Sequence, residues 1–215
     1  MTPQRSYRLG VMLGDGTRDL GGSALTDVFT DAVLSRRRRT VHEPDPHDRE
    51  RAPMTDLATT DLCDAHPEAQ VCEPVFQPFG GRISFSGPIT TLKVFEDNSL
   101  IKQAVEGPGE GRVLVVDGGG STRCGLVGGN LAVSAATNGW AGIVVYGCIR
   151  DADELAAQPL GVRAIAAFPR KSQRGLHSGQ AGIPVIFAGV VFREGEWLCA
   201  DADGIVVLPE APTAG

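Results

Sequence analysis

The chain has 215 residues, 42% hydrophobic and 21% charged, with a formal net charge of −6. This is the composition of one globular domain or two small ones, long enough to bury most of its apolar surface without disulfide or metal staples. No apolar run approaches the roughly 18 residues of a membrane span, no secretory leader is recognisable, and the acidic balance leaves no electrostatic footprint for nucleic acid.

Five cysteines (63, 72, 124, 148 and 199) form no C-x-x-C pair. An odd, scattered set reads as reduced, buried thiols in a cytoplasmic protein rather than a disulfide framework or a zinc site. Charge is uneven along the chain. Residues 1–53 hold nine Arg, no Lys and eight acids, whereas residues 54–215 hold eleven basic and eighteen acidic residues.

Residues 24–34 have the spacing of one short amphipathic helix. Residues 36–53, RRRRTVHEPDPHDRERAP, are too charged and Pro-rich to offset their ordering entropy and are expected to be disordered. The tetra-Arg run reads either as an anionic-surface patch or as a solvated tail; the acids that follow it favour the tail. Met54 looks like a natural start. The expected organisation is therefore an N-terminal extension or misassigned start over 1–53 and a folded domain over 54–215.

From Thr55 the punctuation becomes regular. A short capped helix is expected at about 55–65. Strands are expected at 82–86 and 89–95, split by a Gly87-Pro88 turn. A helix at 98–104 ends at Gly107-Pro108-Gly109. A buried strand at 112–116 leads through Gly118-Gly119-Gly120 to a helix at 128–138, a buried strand at 142–146 and a helix at 151–156. Strands at 163–168, 184–192, 197–200 and 204–208 complete the chain. The strand–helix–strand order over 112–146 predicts a parallel unit, and the C-terminal strands predict mixed pairing. The fold class is α/β with a mixed sheet.

Ligands of such sheets bind just past strand C-termini, where three features lie. The turn Asp117-Gly-Gly-Gly-Ser121 lets a backbone approach closely, but its spacing matches no phosphate-binding loop. Gly128, Gly129, Asn130 and Leu131 open the next helix, whose first amides suit a carboxylate; a plain glycine N-cap is the alternative. Arg150 and Asp151 close the segment Gly147-Cys148-Ile149-Arg150-Asp151 that directly follows the strand at 142–146. Arg offers a planar fork for a carboxylate or enolate oxygen, and Asp offers a hard oxygen to Mg²⁺ or Mn²⁺; a surface ion pair is the bland reading. Cys148 reads as a small buried hydrophobe. His42 and His47 fall in the charged stretch and His66 and His177 in loops, so neither a Ser/His/Asp or Cys/His machine nor a His-rich zinc site is supported.

The string VVDGGGSTRCGLVGGNLAVSAATNGWAGIVVYGCIRDADEL (115–155) resembles the RraA-like family. That family contains class II 4-hydroxy-4-methyl-2-oxoglutarate (HMG) aldolases and regulators of ribonuclease E activity. The likeness continues through GVRAIAAFPRKS (161–172), IPVIFAGV (183–190) and GEWLCADADGIVV (195–207), and reaches back to FGGRISFSGPITTLKVFEDNSLIKQAV (79–105). It implies a sandwich of sheet and helices in a ring-shaped homotrimer, single or paired, with sites between subunits. It also implies a divalent metal (Mg²⁺ or Mn²⁺) on Asp151, substrate contact from Arg150, and backbone amides presented by residues 128–131. The substrate implied is a small 2-keto acid: HMG cleaved to two pyruvates, with oxaloacetate decarboxylation as a side activity. The pair Arg150-Asp151, with Glu154 three residues on, favours the aldolase branch over a non-catalytic, protein-binding inhibitor of ribonuclease E. One departure stands out. Many aldolase members carry an Asp twenty-one positions before the Arg, where this chain has Gly129.

Overall fold

The computed structural model describes residues 58–173, 175 and 178–212. The expected 1–53 extension, its 24–34 helix, the tetra-Arg run and His177 lie outside them. Four parallel strands form the centre: β3 (Phe85–Val94), β4 (Val113–Asp117), β6 (Gly142–Ile149) and β7 (Gly161–Ala167), adjacent in that order. All of β4 and all of β6 except Tyr146 are buried, as expected for near-continuous apolar strands covered on both faces.

Alternation along the strands divides the core into two layers. Leu114, Val116, Ile143 and Val145 face Leu126, Leu131, Trp140 and Leu155. That layer lies under α2 (Ser99–Glu106), α3 (Gly129–Thr137) and α4 (Ala152–Ala156). Val113, Val115 and Val144 face the opposite way, onto Val185, Phe187, Phe192, Leu198, Ile205 and Val207. These come from the hairpin of β9 (Val185–Phe187) and β10 (Val190–Phe192) and from β11 (Trp197–Ala200) and β12 (Ile205–Leu208).

The mixed α/β class holds, and four local expectations change. The Gly87-Pro88 pair is no turn: β3 runs through it as one ten-residue strand. Its first part, Phe85–Pro88, pairs antiparallel with β11, and Ile89–Lys93 pairs parallel with β4. Proline is tolerated where a strand changes partners and its N–H is not required. Gly87 lets the Gly111 carbonyl come against the strand, where a Cβ would collide with it. The single strand expected at 184–192 is instead a hairpin, because Ala188 (φ 49°) and Gly189 (φ 75°) both turn left-handed between β9 and β10, the geometry of a two-residue hairpin loop. Third, four short strands had no periodic signal. They are β1 (Gln70–Val71) on β12, β2 (Gln77–Pro78) on β7, β5 (Gly125–Val127) on β6, and β8 (Gly179–Ala181) on β3.

The fourth change concerns α1 (Thr59–Ala65), whose own N-cap residue, Ala58, has no capping side chain. The cap comes from 142 residues away. Thr59 donates its N–H to Asp201 Oδ2 and its hydroxyl to Asp201 Oδ1, both at 2.7 Å. Asp201 Oδ1 also accepts the amide of Asp203 at 2.9 Å, and Arg163 donates to the Asp201 carbonyl. Burial pushes the Asp201 carboxyl up, but the hydrogen bonds from Thr59, Asp203 and Gly204 outweigh it and hold the group below the usual carboxylate range. A depressed carboxyl stabilises the fold above its unfolded pKa, near 4, and loses that contribution as pH falls through the folded value. Asp201→Ala is expected to cost about 1–2 kcal/mol in urea unfolding at pH 7, and the difference from wild type should shrink progressively below about pH 4. An equal gap at pH 7 and pH 3 would contradict the capping role.

Candidate active site

β6 is one of the two inner strands of the parallel set; it ends at Ile149, and Arg150 and Asp151 follow directly. Beside it, β5 runs parallel and feeds directly into α3. Arg150 donates its N–H to the Val127 carbonyl at 2.9 Å, so the strand end and the helix entry are held together by backbone. A third segment closes the site: Gly125 donates to the Arg170 carbonyl at 2.8 Å, and Ser172 donates to the Gly125 carbonyl at 3.3 Å. The resulting cleft, about 140 Å³, is lined by residues 128–131, Arg150, Asp151, Asn98, Gly125, Lys171 and Ser172. All of the expected site residues, Gly128 to Leu131 with Arg150 and Asp151, therefore meet in one place.

The local chemistry explains why. Gly128 caps α3 in an extended conformation (φ −131°, ψ −179°) without a side-chain cap. The missing cap is supplied by Asp151, whose Oδ2 accepts the Gly129 N–H at 3.3 Å. Both oxygens of Asp151 also receive Arg150 Nε at 3.1 Å. Asp151 itself adopts the left-handed conformation (φ 57°, ψ 48°), which costs a non-glycine residue roughly 1–2 kcal/mol. Its carbonyl accepts the Glu154 and Leu155 amides at 3.0 and 3.1 Å and so begins α4. A strained carboxylate thus points at the electropositive end of one helix while starting another.

At both glycines an acidic side chain occupies the space a Cβ would take. A Cβ on Gly128 would stand 2.8 Å from Asp151 Oδ2 and 3.1 Å from Arg150 Cγ. A Cβ on Gly129 would run into the Glu154 carboxylate, 2.7 Å from its Cδ. The place where a side chain at 129 would lie is thus already taken. Sequence reasoning placed Glu154 near the pair without giving it a role, and it missed Asn98, Lys171 and Ser172. Asn98 precedes α2, and its Nδ2 donates to the Leu126 carbonyl at 3.1 Å, a long-range contact with no local signature.

The other candidates fall elsewhere. Gly118–Gly120 folds into a turn tied to β6: Gly118 and Gly120 both donate to the Tyr146 carbonyl at 3.1 Å, Gly119 donates to Asp117 Oδ1 at 2.9 Å, and Asp117 pairs with Lys93 at 3.2 Å. Cys148 is 1% exposed and burial pushes its thiol up. Cys72 is pushed up to about 12 and Cys199 to about 11, again chiefly by burial. All five cysteines are free; Cys63 is half-buried rather than buried as expected, and the thiols of the four buried ones suit packing rather than nucleophilic chemistry. His66 sits beside Glu68 at 3.3 Å, outside the cleft.

A carboxylate and an Arg beside a helix N-terminus, at the end of an inner parallel strand, are groups suited chemically to a small anionic molecule. The chain belongs to the RraA-like (Aldolase/RraA) family, whose pattern matches residues 59–207. It is 57% identical over 157 residues to a protein of Pseudomonas syringae pv. tomato named "Putative 4-hydroxy-4-methyl-2-oxoglutarate aldolase", covering 72% of this chain and 96% of that one. A protein of the same name from Ectopseudomonas mendocina is 59% identical over 155 residues, covering 71% and 94%. Among solved structures, the RNA-processing inhibitor RraA from Thermus thermophilis superposes with a TM-score of 0.72 at 47% identity, covering 74% and 96%.

The Gly128 contact generates a direct check. Gly128→Ala is expected to destabilise the domain by about 1–3 kcal/mol through overpacking against Asp151 and Arg150. In an Asp151→Gly background, which removes the carboxylate without left-handed strain, the same change should cost clearly less. Equal costs in the two backgrounds, measured by urea unfolding, would show that residues 128 and 151 do not press on each other.

Proposed function

We propose that the chain is a divalent-cation-dependent lyase that cleaves 4-hydroxy-4-methyl-2-oxoglutarate to two pyruvates, with oxaloacetate decarboxylation as a secondary activity. The observation that carries this reading is the Arg150–Asp151 pair set against the first turn of α3, whose Gly129 amide Asp151 accepts. The aldolase name shared by relatives at 57% and 59% identity supports it.

The residues fit a hard cation. The Asp151 carboxylate faces the cleft with its side chain 31% exposed, leaving room for the several waters that Mg²⁺ or Mn²⁺ retains. Asp151 would hold the ion, and the ion would supply Lewis-acid stabilisation of the negative charge that develops on the 2-keto acid during cleavage. The protein's own groups do the rest. The N-terminal turn of α3 favours the substrate carboxylate. Arg150 bonds Asp151 through Nε, which leaves its terminal nitrogens to take a substrate oxygen. Loss of the C4 hydroxyl proton to a base breaks the C3–C4 bond and releases one pyruvate. The enolate left behind takes a proton at C3 and becomes the second. Any substrate yielding that enolate reacts at the same groups, which is why oxaloacetate is included. Asp201 is not the base in this scheme, since its oxygens serve the α1 cap.

The working form in this proposal is a homotrimer in the cytoplasm. The free cysteines are consistent with that compartment, and no helix among the described residues is long and apolar enough to cross a membrane. A second reading, a non-catalytic inhibitor of an RNA-processing nuclease, is favoured by the likeness to the Thermus inhibitor. The fold itself does not choose between them.

Pyruvate release from HMG and oxaloacetate separates the readings. It is measured with Mg²⁺, Mn²⁺ or EDTA, on material eluting at three times the 22.6 kDa chain mass. The aldolase reading predicts cation-dependent pyruvate from HMG. It also predicts a loss of at least about a hundredfold in Asp151→Asn, with unfolding unchanged within about 0.5 kcal/mol because Asn tolerates the left-handed conformation. Absence of pyruvate from both substrates, in folded protein supplied with metal, would leave the inhibitor reading.

A further inference from the structure

Helix α3 opens on two successive glycines, and each leaves room for one carboxylate. Asp151 Oδ2 lies beside the position of a Gly128 Cβ, and the Glu154 carboxylate lies on the position of a Gly129 Cβ, 2.7 Å from it at Cδ and 2.9 Å at its own Cβ. The two acids are held in step by backbone, because Glu154 donates its N–H to the Asp151 carbonyl at 3.0 Å. Glu154 is otherwise an exposed residue in the first turn of a five-residue helix. Its side chain turns in toward α3 and has no ion-pair partner among the described residues. The guanidinium of the same strand end, Arg150, directs its Nε to Asp151.

Asp151 and Glu154, set against the Arg150 guanidinium and the Lys171 ammonium that lines the same cleft, leave the site with no net formal charge. A divalent cation held by the two carboxylates would make it positive and attractive to a dianionic keto acid. Mg²⁺ and Mn²⁺ are commonly held by one or two carboxylates with water completing the shell. We infer that Glu154 is the second acidic group of this site and shares the divalent cation with Asp151, in a position that only glycine at 129 leaves open. The inference rests on the proposed cation-dependent reading. It adds that the acid is interchangeable between two backbones: removed from 154, it is restorable from 129.

The test is calorimetric titration of Mn²⁺ into the full chain, with no substrate present. Wild type is expected to bind one Mn²⁺ per chain, and Asp151→Asn to lose binding. Glu154→Gln should weaken binding about tenfold or more. The double variant Gly129→Asp/Glu154→Ala should bind more tightly than Glu154→Ala alone, because an Asp at 129 fills the vacated space. Unchanged melting temperatures show that each variant is folded. Glu154→Gln binding Mn²⁺ as tightly as wild type would overturn the inference and leave the Asp151 reading intact. Failure of wild type to bind Mn²⁺ at all would overturn both.

Discussion

Helix α3 begins on a residue that cannot cap it, and the organisation of the site follows from how that deficit is met. A helix start leaves its first N–H groups without partners, and Gly128 offers no side chain to take one. Asp151 reaches across from the end of the neighbouring strand and accepts the Gly129 amide. Structural capping and the candidate chemistry thus use the same carboxylate. A group that completes a helix N-terminus is already placed where an anionic ligand and a counter-cation would be held.

The sheet makes that reach possible. β5 and β6 run parallel, so the entry to α3 and the exit to Arg150 lie side by side. The Arg150 amide bond to Val127 fixes their separation. Asp151 then has to turn left-handed to aim its side chain back at α3 while its carbonyl starts α4. Strain of this kind persists where surrounding structure over-determines it, and it concentrates at functional positions. Here buried β6 on one side and two glycine contacts on the other provide that determination.

Much of this was legible in the chain. The runs VLVVD and GIVVYGCI are apolar enough to announce buried parallel strands, and the Gly-Gly-Asn-Leu start of α3 and the Arg-Asp pair after β6 stand out as strand-end chemistry. What stayed hidden depends on contacts distant in sequence. The passage of β3 through Gly87-Pro88 depends on β11 pairing with its first part and β4 with its second. The turn at Ala188 has a residue type that does not advertise a left-handed conformation. The cap of α1 comes from Asp201, and Glu154 acquires meaning only when Gly129 is seen beneath it. Local pattern therefore located the site, while tertiary contact decided which acids furnish it.

The central claim, that Asp151 and the first turn of α3 form one site for a cation and a keto acid, is tested most directly by a crystal structure of the protein soaked with Mn²⁺ and pyruvate. The account predicts an anomalous manganese peak at the Asp151 carboxylate, with the pyruvate carboxylate against the amides of α3 and the Arg150 guanidinium beside it. Manganese bound away from Asp151, or pyruvate seated outside the cleft of residues 128–131, would contradict it.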